Sequence, residues 1–462
     1  MSATLRSPSR EDPLVRALSH SIGGPAGKRI ASGGFWSPQR IMLVGLAVSF
    51  ALALLQKAPC HATAWPRDQV DTWMCYSDIP HMYRERGLAL GNVPYFDTGD
   101  YPRLEYPVLI GAVMWAAALL ARTAPGLDPG AVRFFDVNAV VLLAAAVATL
   151  LATIRLAGRR PYDAALFALA PTLVLSGLIN WDLLATALTA GAMLAWARQR
   201  PALAGVLLGL GVATKLYPLF ILGALFVVCI RSGHLREFGR ATIGAVVAWV
   251  VVNAPVYLFA HDGWLEFFRF NRERAGDFGS VYYVFSLAGH AVPQDQLNKI
   301  ILLLLTAACI AVAWLGIAAR RRPRLASLAF LLVAAFCLIN KVYSPQYVLW
   351  LVPLAALARP RWRDFLIWQT AEVIYWFSIW MYLSGTFGGT GGRLYWAATF
   401  LHVAGTLFFA AMVVRDTLRP ELDPVRADGT DDPAFPWAAD LPASDGYEAG
   451  AYESSPSEPG LA

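Results

Sequence analysis

Apolar runs long enough to cross a bilayer recur from about residue 41 to residue 414 of this 462-residue chain. A hydrocarbon core about 30 Å thick needs roughly 20 mostly apolar helical residues, because its interior offers no water to unpaired backbone groups. Hydrophobic residues make up 57% and charged residues only 15% of the sequence, so the runs dominate the chain. The sequence therefore predicts an all-α polytopic membrane protein built as one bundle of helices.

The arginine residues set the predicted topology. They fall in short clusters between the apolar runs, and Lys and Arg are enriched in cytoplasmic loops. The arginine clusters that follow residue 154 lie on the cytoplasmic side only if the segment 107–123 does not cross the bilayer. That segment is short for a span and is bounded by Pro107 and Pro125. We therefore expect it to form a juxtamembrane or re-entrant helix on the outer face.

About twelve transmembrane helices then remain, with both chain termini inside. Lys215 interrupts one apolar stretch, which fits either two spans or one long span with a buried lysine. The predicted spans lie near residues 39–57, 132–154, 162–179, 183–198, 202–214, 216–231, 241–260, 297–318, 324–340, 346–358, 363–384 and 394–414.

The two ends of the chain differ from residues 39–415, which we interpret as one membrane-embedded domain. Residues 1–38 place basic side chains among Ser, Pro and Gly, which predicts a disordered basic cytoplasmic arm. Residues 416–462 are mostly acidic, which predicts a disordered cytoplasmic tail that catalysis does not need. The net charge of +6 is spread over small clusters, which argues against a nucleic-acid partner.

Two cysteines fall in the long loop after the first predicted span. Cys60 and Cys75 could form a disulfide if that loop lies outside the cytoplasm, where disulfides persist. Sequence alone gives no Cα separation, so the bonded and unbonded forms both stay open. The other three cysteines lie in apolar runs and are interpreted as small core residues, namely Cys229, Cys309 and Cys337.

Polar segments from distant parts of the chain come out on the outer face in this topology. They are the loop 58–106, the "INWD" turn, the loop 261–298 and the stretch "NKVYSPQY" at 340–347. An ionisable group near the membrane boundary is costly and marks a functional site by default. We therefore expect an active site on the extracytoplasmic side of the plasma membrane.

Asp78 is the first candidate within these segments. It lies just before Pro80, and an acidic or hydroxyl residue in that position often caps a helix. The alternative is a catalytic carboxylate, which the composition of the same loop favours. Tyr83 and Glu105 offer a hydroxyl and a second carboxylate that suit a sugar substrate.

Five further candidates come from the other outer segments. Asp182 either caps the helix that follows it or contributes a second carboxylate at the rim of a cavity. Lys215 lies in a long apolar stretch, so its ammonium must snorkel to the membrane surface, pair with an acidic residue or bind an anion. The same alternatives apply to Lys341. Arg274 and His261 either solvate their loop or help to gather a phosphate.

Motifs of other chemistries do not occur in the sequence. GxxxxGK[ST], HExxH, GxSxG and Cys/His metal spacings are all missing, so nucleotide hydrolysis, zinc chemistry and serine-nucleophile hydrolysis lack their parts. The sequence gives no reason to expect a cofactor or a metal.

Three stretches together resemble the actinobacterial members of glycosyltransferase family 87, which are polyprenyl-phosphate-mannose-dependent α-mannosyltransferases with the GT-C membrane fold. The stretches are "CYSDIPHMYRERGLALGNVPYFD", "INWDLLATALTAGAMLAWARQRPALAGVLLGLGVATKLYP" and "NKVYSPQYVLWLVP". The resemblance implies a catalytic base at Asp78, in a first outer loop that also carries juxtamembrane helices. Lys215 matches the family's lysine before "YP". Lys341 to Tyr347, including Gln346, match its "KVxSPQY" element.

The resemblance also implies a reaction and its partners. A hydroxyl of a glycolipid or glycan acceptor attacks a polyprenyl-phosphate sugar, expected to be mannose, with inversion, and Asp78 takes the proton. Asp78 has no second acid beside it, unlike some GT-C relatives, which argues against a carboxylate-bound metal. A lipid or sugar transporter is the alternative function, although no convincing repeat relates the two halves. A structural partner in envelope assembly is the third.

Overall fold

The computed structural model describes residues 12–22, 35–96, 99–123, 126–387 and 391–438. Within these ranges the chain forms helices and connecting loops, with no strand. The α-helices in chain order are α1 (Pro13–Ile22), α2 (Pro38–Ala62), α3 (Asp78–Glu85), α4 (Val108–Ala121), α5 (Leu127–Leu156), α6 (Ala165–Ala168), α7 (Pro171–Ser176), α8 (Asp182–Ala197), α9 (Pro201–Val212), α10 (Leu219–Ser232), α11 (Leu235–Phe259), α12 (His261–Glu273), α13 (Val281–Leu287), α14 (Gln294–Ala318), α15 (Leu325–Ile339), α16 (Val348–Ala358), α17 (Trp362–Leu383) and α18 (Gly391–Leu418).

The helices confirm the prediction of an all-α polytopic membrane protein. Among the described residues, α2, α5, α11, α14 and α18 are long and apolar enough to cross a bilayer. Shorter apolar helices of 10–17 residues pack among them. The core surrounds α16, in which every residue is buried. This central helix begins directly after the segment 340–347, so that segment is held by the most tightly packed part of the protein.

One predicted span differs from the structure, and the alternative left open around Lys215 is resolved in favour of two helices. The run 162–179 is interrupted between α6 and α7, because the residue before a proline is excluded from helical geometry. Ala170 precedes Pro171 and is extended, with φ −62° and ψ 124°. The apolar stretch around Lys215 forms two helices, α9 and α10, and Lys215 lies in the break between them.

Helix α4 is the segment that the sequence predicts to be a juxtamembrane helix. It has 14 residues, which is about 21 Å of helix and shorter than a hydrocarbon core. The N–H of Leu109 at its start donates to the Ala213 carbonyl at 3.0 Å, close to Lys215 in the chain. At its other end the Arg122 guanidinium lies against Gly91 in the loop that follows α2. Both ends of α4 thus contact segments assigned to one face.

The expectation of a disordered tail from residue 416 onward is wrong as far as residue 438. The Arg324 guanidinium bonds both carboxylate oxygens of Asp423, at 2.7 and 3.0 Å, with 2% of the arginine exposed. Asp432 accepts the N–H of Leu325 at 2.8 Å, and the Phe435 ring is fully buried. Acidic tail residues therefore neutralise buried arginines. The rest of the predicted tail, 439–462, lies outside the described residues.

The basic arm also differs from its prediction within the described residues. Residues 13–22 form helix α1, and Asp12 beside it is buried. The Asp12 carboxylate accepts the N–H of Trp362 at 3.0 Å, at the start of α17. Residues 1–11 and 23–34 of the predicted arm lie outside the described ranges.

Cys60 and Cys75 form a disulfide in the structure, which resolves the alternative left open by the sequence. Their Cα atoms are 5.9 Å apart. The bond ties the end of α2 to the residues just before Asp78.

Candidate functional site

The cap of helix α3 is Ser77 and not Asp78. The Ser77 hydroxyl accepts the N–H of Ile79 at 3.3 Å and donates to the Leu178 carbonyl at 2.8 Å. Ser77 is fully buried, whereas Asp78 beside it is partly exposed. Because the serine satisfies the helix start, the Asp78 carboxylate remains available for other partners.

Three side chains from separate segments donate to the Asp78 carboxylate. The Tyr76 hydroxyl lies 2.6 Å from Oδ1, the Tyr106 hydroxyl 3.0 Å from Oδ2, and the Asn180 amide 3.3 Å from Oδ2. The backbone N–H of Asp78 donates to the Ile179 carbonyl at 2.8 Å. The loop after α2, the residues before α4 and the turn before α8 therefore meet at this one side chain.

The two phenols remain protonated beside the carboxylate. The negative charge of Asp78, followed by burial, raises the pKa of Tyr76 well above its usual value. Burial, followed by the Asp78 charge, does the same to the pKa of Tyr106. Both hydroxyls are consequently donors, and an ionised carboxylate that only accepts is the form a general base requires.

Asp182 and Lys215 form a buried pair next to this centre. The Lys215 Nζ lies 3.5 Å from Asp182 Oδ1, and the Trp350 indole donates to the same oxygen at 2.7 Å. The Asn180 side chain accepts the N–H of Asp182, the first residue of α8, at 3.1 Å, and the Asp182 side chain does not cap the helix. Lys215 also lies 5.1 Å from the ring centroid of Tyr106, so the pair adjoins the residues that hold Asp78.

Lys341 and Arg274 form a second cationic group. The Lys341 ammonium donates to Asn298 at 2.7 Å, and Arg274 donates twice to Asp277, at 2.9 and 2.6 Å. Burial, followed by the charge of Arg274, lowers the pKa of Lys341. The positive charge of Arg274 also interacts electrostatically with the Tyr347 side chain. Arg274 therefore acts electrostatically on Lys341 although Asp277 pairs with it.

An aromatic contact joins the two cationic groups. The Tyr347 ring stacks on Trp350 at 4.0 Å between centroids, and Trp350 binds Asp182. Gln346 is buried in the same turn as Tyr347. The "KVYSPQY" segment therefore places its residues beside the Asp182–Lys215 pair.

Three predicted site residues are placed away from Asp78. The Tyr83 ring packs on Phe134 at 5.0 Å and is 2% exposed. The Glu105 carboxylate is held by Arg86 at 2.7 and 2.9 Å. His261 begins α12 and packs against aromatic rings there. The structure assigns these side chains contacts within the fold and does not bring them to the carboxylate.

Sequence reasoning missed several residues of the site. Tyr76, Asn180 and Trp350 were not singled out, although "INWD" and "CYSD" carry two of them. The ammonium of Lys57, fully buried at the end of α2, donates to the Tyr76 carbonyl at 2.7 Å. Lys57 could have been selected from the sequence, because it is a lysine in the first apolar run, just as Lys215 lies in a later one.

An apolar cavity of about 470 Å³ opens beside Tyr106. It lies between α9, α11 and α12, with walls that include Ala213, Trp249 and Phe267. Helices α9 and α11 approach so closely that a Cβ on Gly205 would lie 1.9 Å from the Ala241 carbonyl oxygen. Within the described ranges, no group of three or more His, Cys, Asp or Glu side chains is placed to hold a metal ion.

The comparison with known families decides the class of this site. The model of glycosyltransferase family 87 matches residues 104–340, just over half of the chain. The chain belongs to glycosyltransferase family 87. The match includes Tyr106, Asp182, Lys215 and Arg274; it begins after Asp78 and ends directly before Lys341. A comparison with curated proteins finds no match. This family 87 protein is therefore a membrane glycosyltransferase, which moves a sugar from a donor to an acceptor.

Proposed function

We propose that this family 87 enzyme transfers a hexose, expected to be mannose, from a polyprenyl-phosphate donor to a hydroxyl of a cell-envelope glycolipid or glycan. Transfer takes place at the outer face of the plasma membrane. The observation that carries the proposal is the position of Asp78. Its carboxylate is oriented by Tyr76, Tyr106 and Asn180. Tyr106 also lies near Lys215 and lines the apolar cavity.

Asp78 acts as the general base. Its carboxylate accepts the proton of the acceptor hydroxyl while that oxygen attacks the anomeric carbon of the donor sugar. The bond from the anomeric carbon to the phosphate oxygen breaks, and polyprenyl phosphate leaves. Attack opposite the leaving group inverts the anomeric centre, so a β-linked donor gives an α-linked product.

The cations receive the departing phosphate. The Lys215 ammonium lies 5.1 Å from the Tyr106 ring centroid. Tyr347, which belongs to the same segment as Lys341, stacks on the Trp350 that donates to Asp182. Fixed positive charges in a poorly hydrated site stabilise the negative charge that develops on the leaving group. Lys215 is paired with Asp182 and Arg274 with Asp277, so Lys341, which donates to the neutral Asn298, supplies the net positive charge of these groups.

The apolar cavity supports a lipid-linked donor. Its walls include apolar side chains of α9, α11 and α12, and Tyr106, which donates to the Asp78 carboxylate, also lines it. A polyprenyl chain is a continuous hydrocarbon and gains free energy from such a surface, whereas a nucleotide does not. With its chain in the cavity, the donor's phosphate lies near Lys215.

The test is transfer by purified protein in lipid nanodiscs. The wild-type enzyme is given polyprenyl-phosphate mannose and a phosphatidylinositol mannoside acceptor, and the product and released polyprenyl phosphate are quantified by mass spectrometry. Equimolar product and polyprenyl phosphate are expected, together with no transfer from a nucleotide-linked mannose. Transfer from the nucleotide sugar, or movement of the lipid across the bilayer with no sugar transferred, would overturn the proposal.

A further inference from the structure

A buried hydrogen bond between two ionisable side chains joins helices α17 and α18, and the proposed reaction uses neither residue. The Glu372 Oε2 lies 2.8 Å from the His402 Nδ1, and the two residues are 2% and 0% exposed. Ionisable groups inside a membrane protein are costly to bury, so they are retained where they have a task. No signal in the sequence reasoning had selected either residue.

The second carboxylate oxygen of Glu372 is shared by three donors. Oε1 lies 2.9 Å from the Trp368 indole nitrogen, 3.1 Å from the Thr406 hydroxyl and 3.4 Å from the Tyr343 hydroxyl. The Tyr343 ring also lies 4.0 Å from the His402 ring. Tyr343 belongs to the "KVYSPQY" segment, so Glu372 and His402 hold that segment through the hydroxyl and the ring of Tyr343.

Backbone hydrogen bonds join the Tyr343 segment to the segment that carries Arg274. The N–H of Tyr343 donates to the Phe278 carbonyl at 3.0 Å, and the N–H of Asp277 donates to the Lys341 carbonyl at 2.7 Å. A Cβ on Gly279 would lie 2.0 Å from the Tyr343 carbonyl oxygen, so the two backbones are in direct contact. A displacement of Tyr343 therefore moves Lys341 and Asp277 together, and Asp277 holds Arg274.

We propose that Glu372 and His402 are positioning residues that fix Tyr343 and thereby set the spacing of Lys341 and Arg274 for the donor phosphate. The identity of that phosphate rests on the proposed function. Neither residue touches the reacting atoms. A fully connected buried polar network favours one arrangement of its members, which an apolar contact between the same helices would not specify.

The test compares three variants at buried polar positions of α17. Glu372→Leu removes the carboxylate that Tyr343, Trp368, Thr406 and His402 share, whereas Glu372→Gln keeps an acceptor oxygen. Gln369→Leu is the matched control, because Gln369 is equally buried on the same helix but binds Thr172. Loss of one buried hydrogen-bonded partner should raise the donor KM of Glu372→Leu at least about tenfold. The acceptor KM should stay within about twofold, and Glu372→Gln should retain a donor KM near that of the wild type.

Hydrogen exchange provides a readout that needs no donor. Backbone amides of residues 341–347 should exchange at least about tenfold faster in Glu372→Leu than in the wild type. In Gln369→Leu they should exchange at the wild-type rate. If Glu372→Leu does not fold, His402→Phe is used; it keeps the ring contacts, removes the nitrogen that binds Glu372 and should speed exchange in the same way. Unchanged exchange in a folded variant, or the same change in Gln369→Leu, overturns the positioning role. Failure of the wild type to use the donor overturns only the proposed function.

Discussion

Two carboxylates near the centre of the site have different environments. Asp78 is held by two phenols and an amide, whereas Asp182 is fully buried and paired with Lys215. Asp78 is partly exposed, so an acceptor hydroxyl can reach it, whereas Asp182 is fully buried and its Oδ1 is already held by Lys215 and Trp350. This difference supports the proposal that Asp78 abstracts the proton and that Asp182 holds the lysine.

The Asp182–Lys215 pair gives the first prediction. Lys215→Met alone should lower both stability and turnover, because breaking a buried pair costs about 3–5 kcal/mol by leaving one charge uncompensated. The double variant Asp182→Asn/Lys215→Met should recover the thermal unfolding midpoint but remain slow, since the cation beside Tyr106 is still missing. Midpoints in detergent and steady-state rates measure the two effects. A double variant with the wild-type rate would make Lys215 a purely structural partner.

The sequence could supply the charged residues of the site but not their partners. Asp78, Lys215 and Lys341 stood out because each is a polar residue in a region of apolar or membrane-adjacent sequence. Asn180 reaches Asp78 across 102 positions of the chain and Trp350 reaches Asp182 across 168. No local pattern encodes such contacts. Tyr83 and Glu105 were expected beside Asp78 because of the composition of their loop. Composition does not determine where each side chain points.

At the scale of elements, the end of α2 supports the residues before Asp78. The Cys60–Cys75 disulfide closes a loop with a sequence separation of 15, and the Lys57 ammonium holds the Tyr76 carbonyl within the same region. A cross-link over a loop of this length contributes about 3 kcal/mol in the chain-entropy model.

The second prediction follows from that disulfide. Cys60→Ser/Cys75→Ser should lower the unfolding midpoint and reduce the transfer rate, because the segment that orients Asp78 loses its anchor. Treatment of the wild type with a reductant should give the same direction of change. Cys309→Ser is the control, since Cys309 is not part of a disulfide. Equal rates for oxidised, reduced and doubly substituted protein would show that the disulfide does not support the site.

The third prediction concerns the path of the chain around α4. In a Cys309→Ser background, Thr123→Cys should react with a membrane-impermeant thiol reagent added outside, and Arg155→Cys only after permeabilisation. Both positions are exposed, and they lie just after α4 and in the last turn of α5. The expected pattern follows if α4 does not cross and α5 does. Protection of Thr123→Cys from the external reagent would place α4 across the membrane.

At the scale of the whole molecule, the residues after α18 are a structural part of the bundle. Composition predicted disorder there, because the tail is acidic and lacks apolar periodicity. A few specific contacts nevertheless hold this part of the tail in place. Asp423 binds the Arg324 guanidinium, Asp432 accepts the N–H of Leu325 at the start of α15, and Phe435 packs against Trp196. The apolar helices were predictable because their signal extends over 20 residues, whereas docking by a few side chains leaves no comparable trace.

Two truncations give the fourth prediction. A chain ending at residue 438 should keep its specific activity within about twofold, a small change in free energy. A chain ending at Pro420 should be strongly destabilised, because Arg324 would remain buried without Asp423, at a cost of about 3–5 kcal/mol. Unfolding midpoints and yields of monodisperse protein distinguish the two. Equal stability of both chains would mean that the tail does not support the bundle.

The most direct measurement of the central claim is single-turnover transfer by Asp78→Asn with the donor already bound. Ser77 caps α3, so the variant should fold, and donor affinity should change little because the base acts on the acceptor. Asp68→Asn, an exposed carboxylate in the same loop, is the control and should behave like the wild type. The account predicts a loss of at least about a hundredfold for Asp78→Asn, the lower range for a positioned general base. A near-normal rate in the folded variant would contradict it.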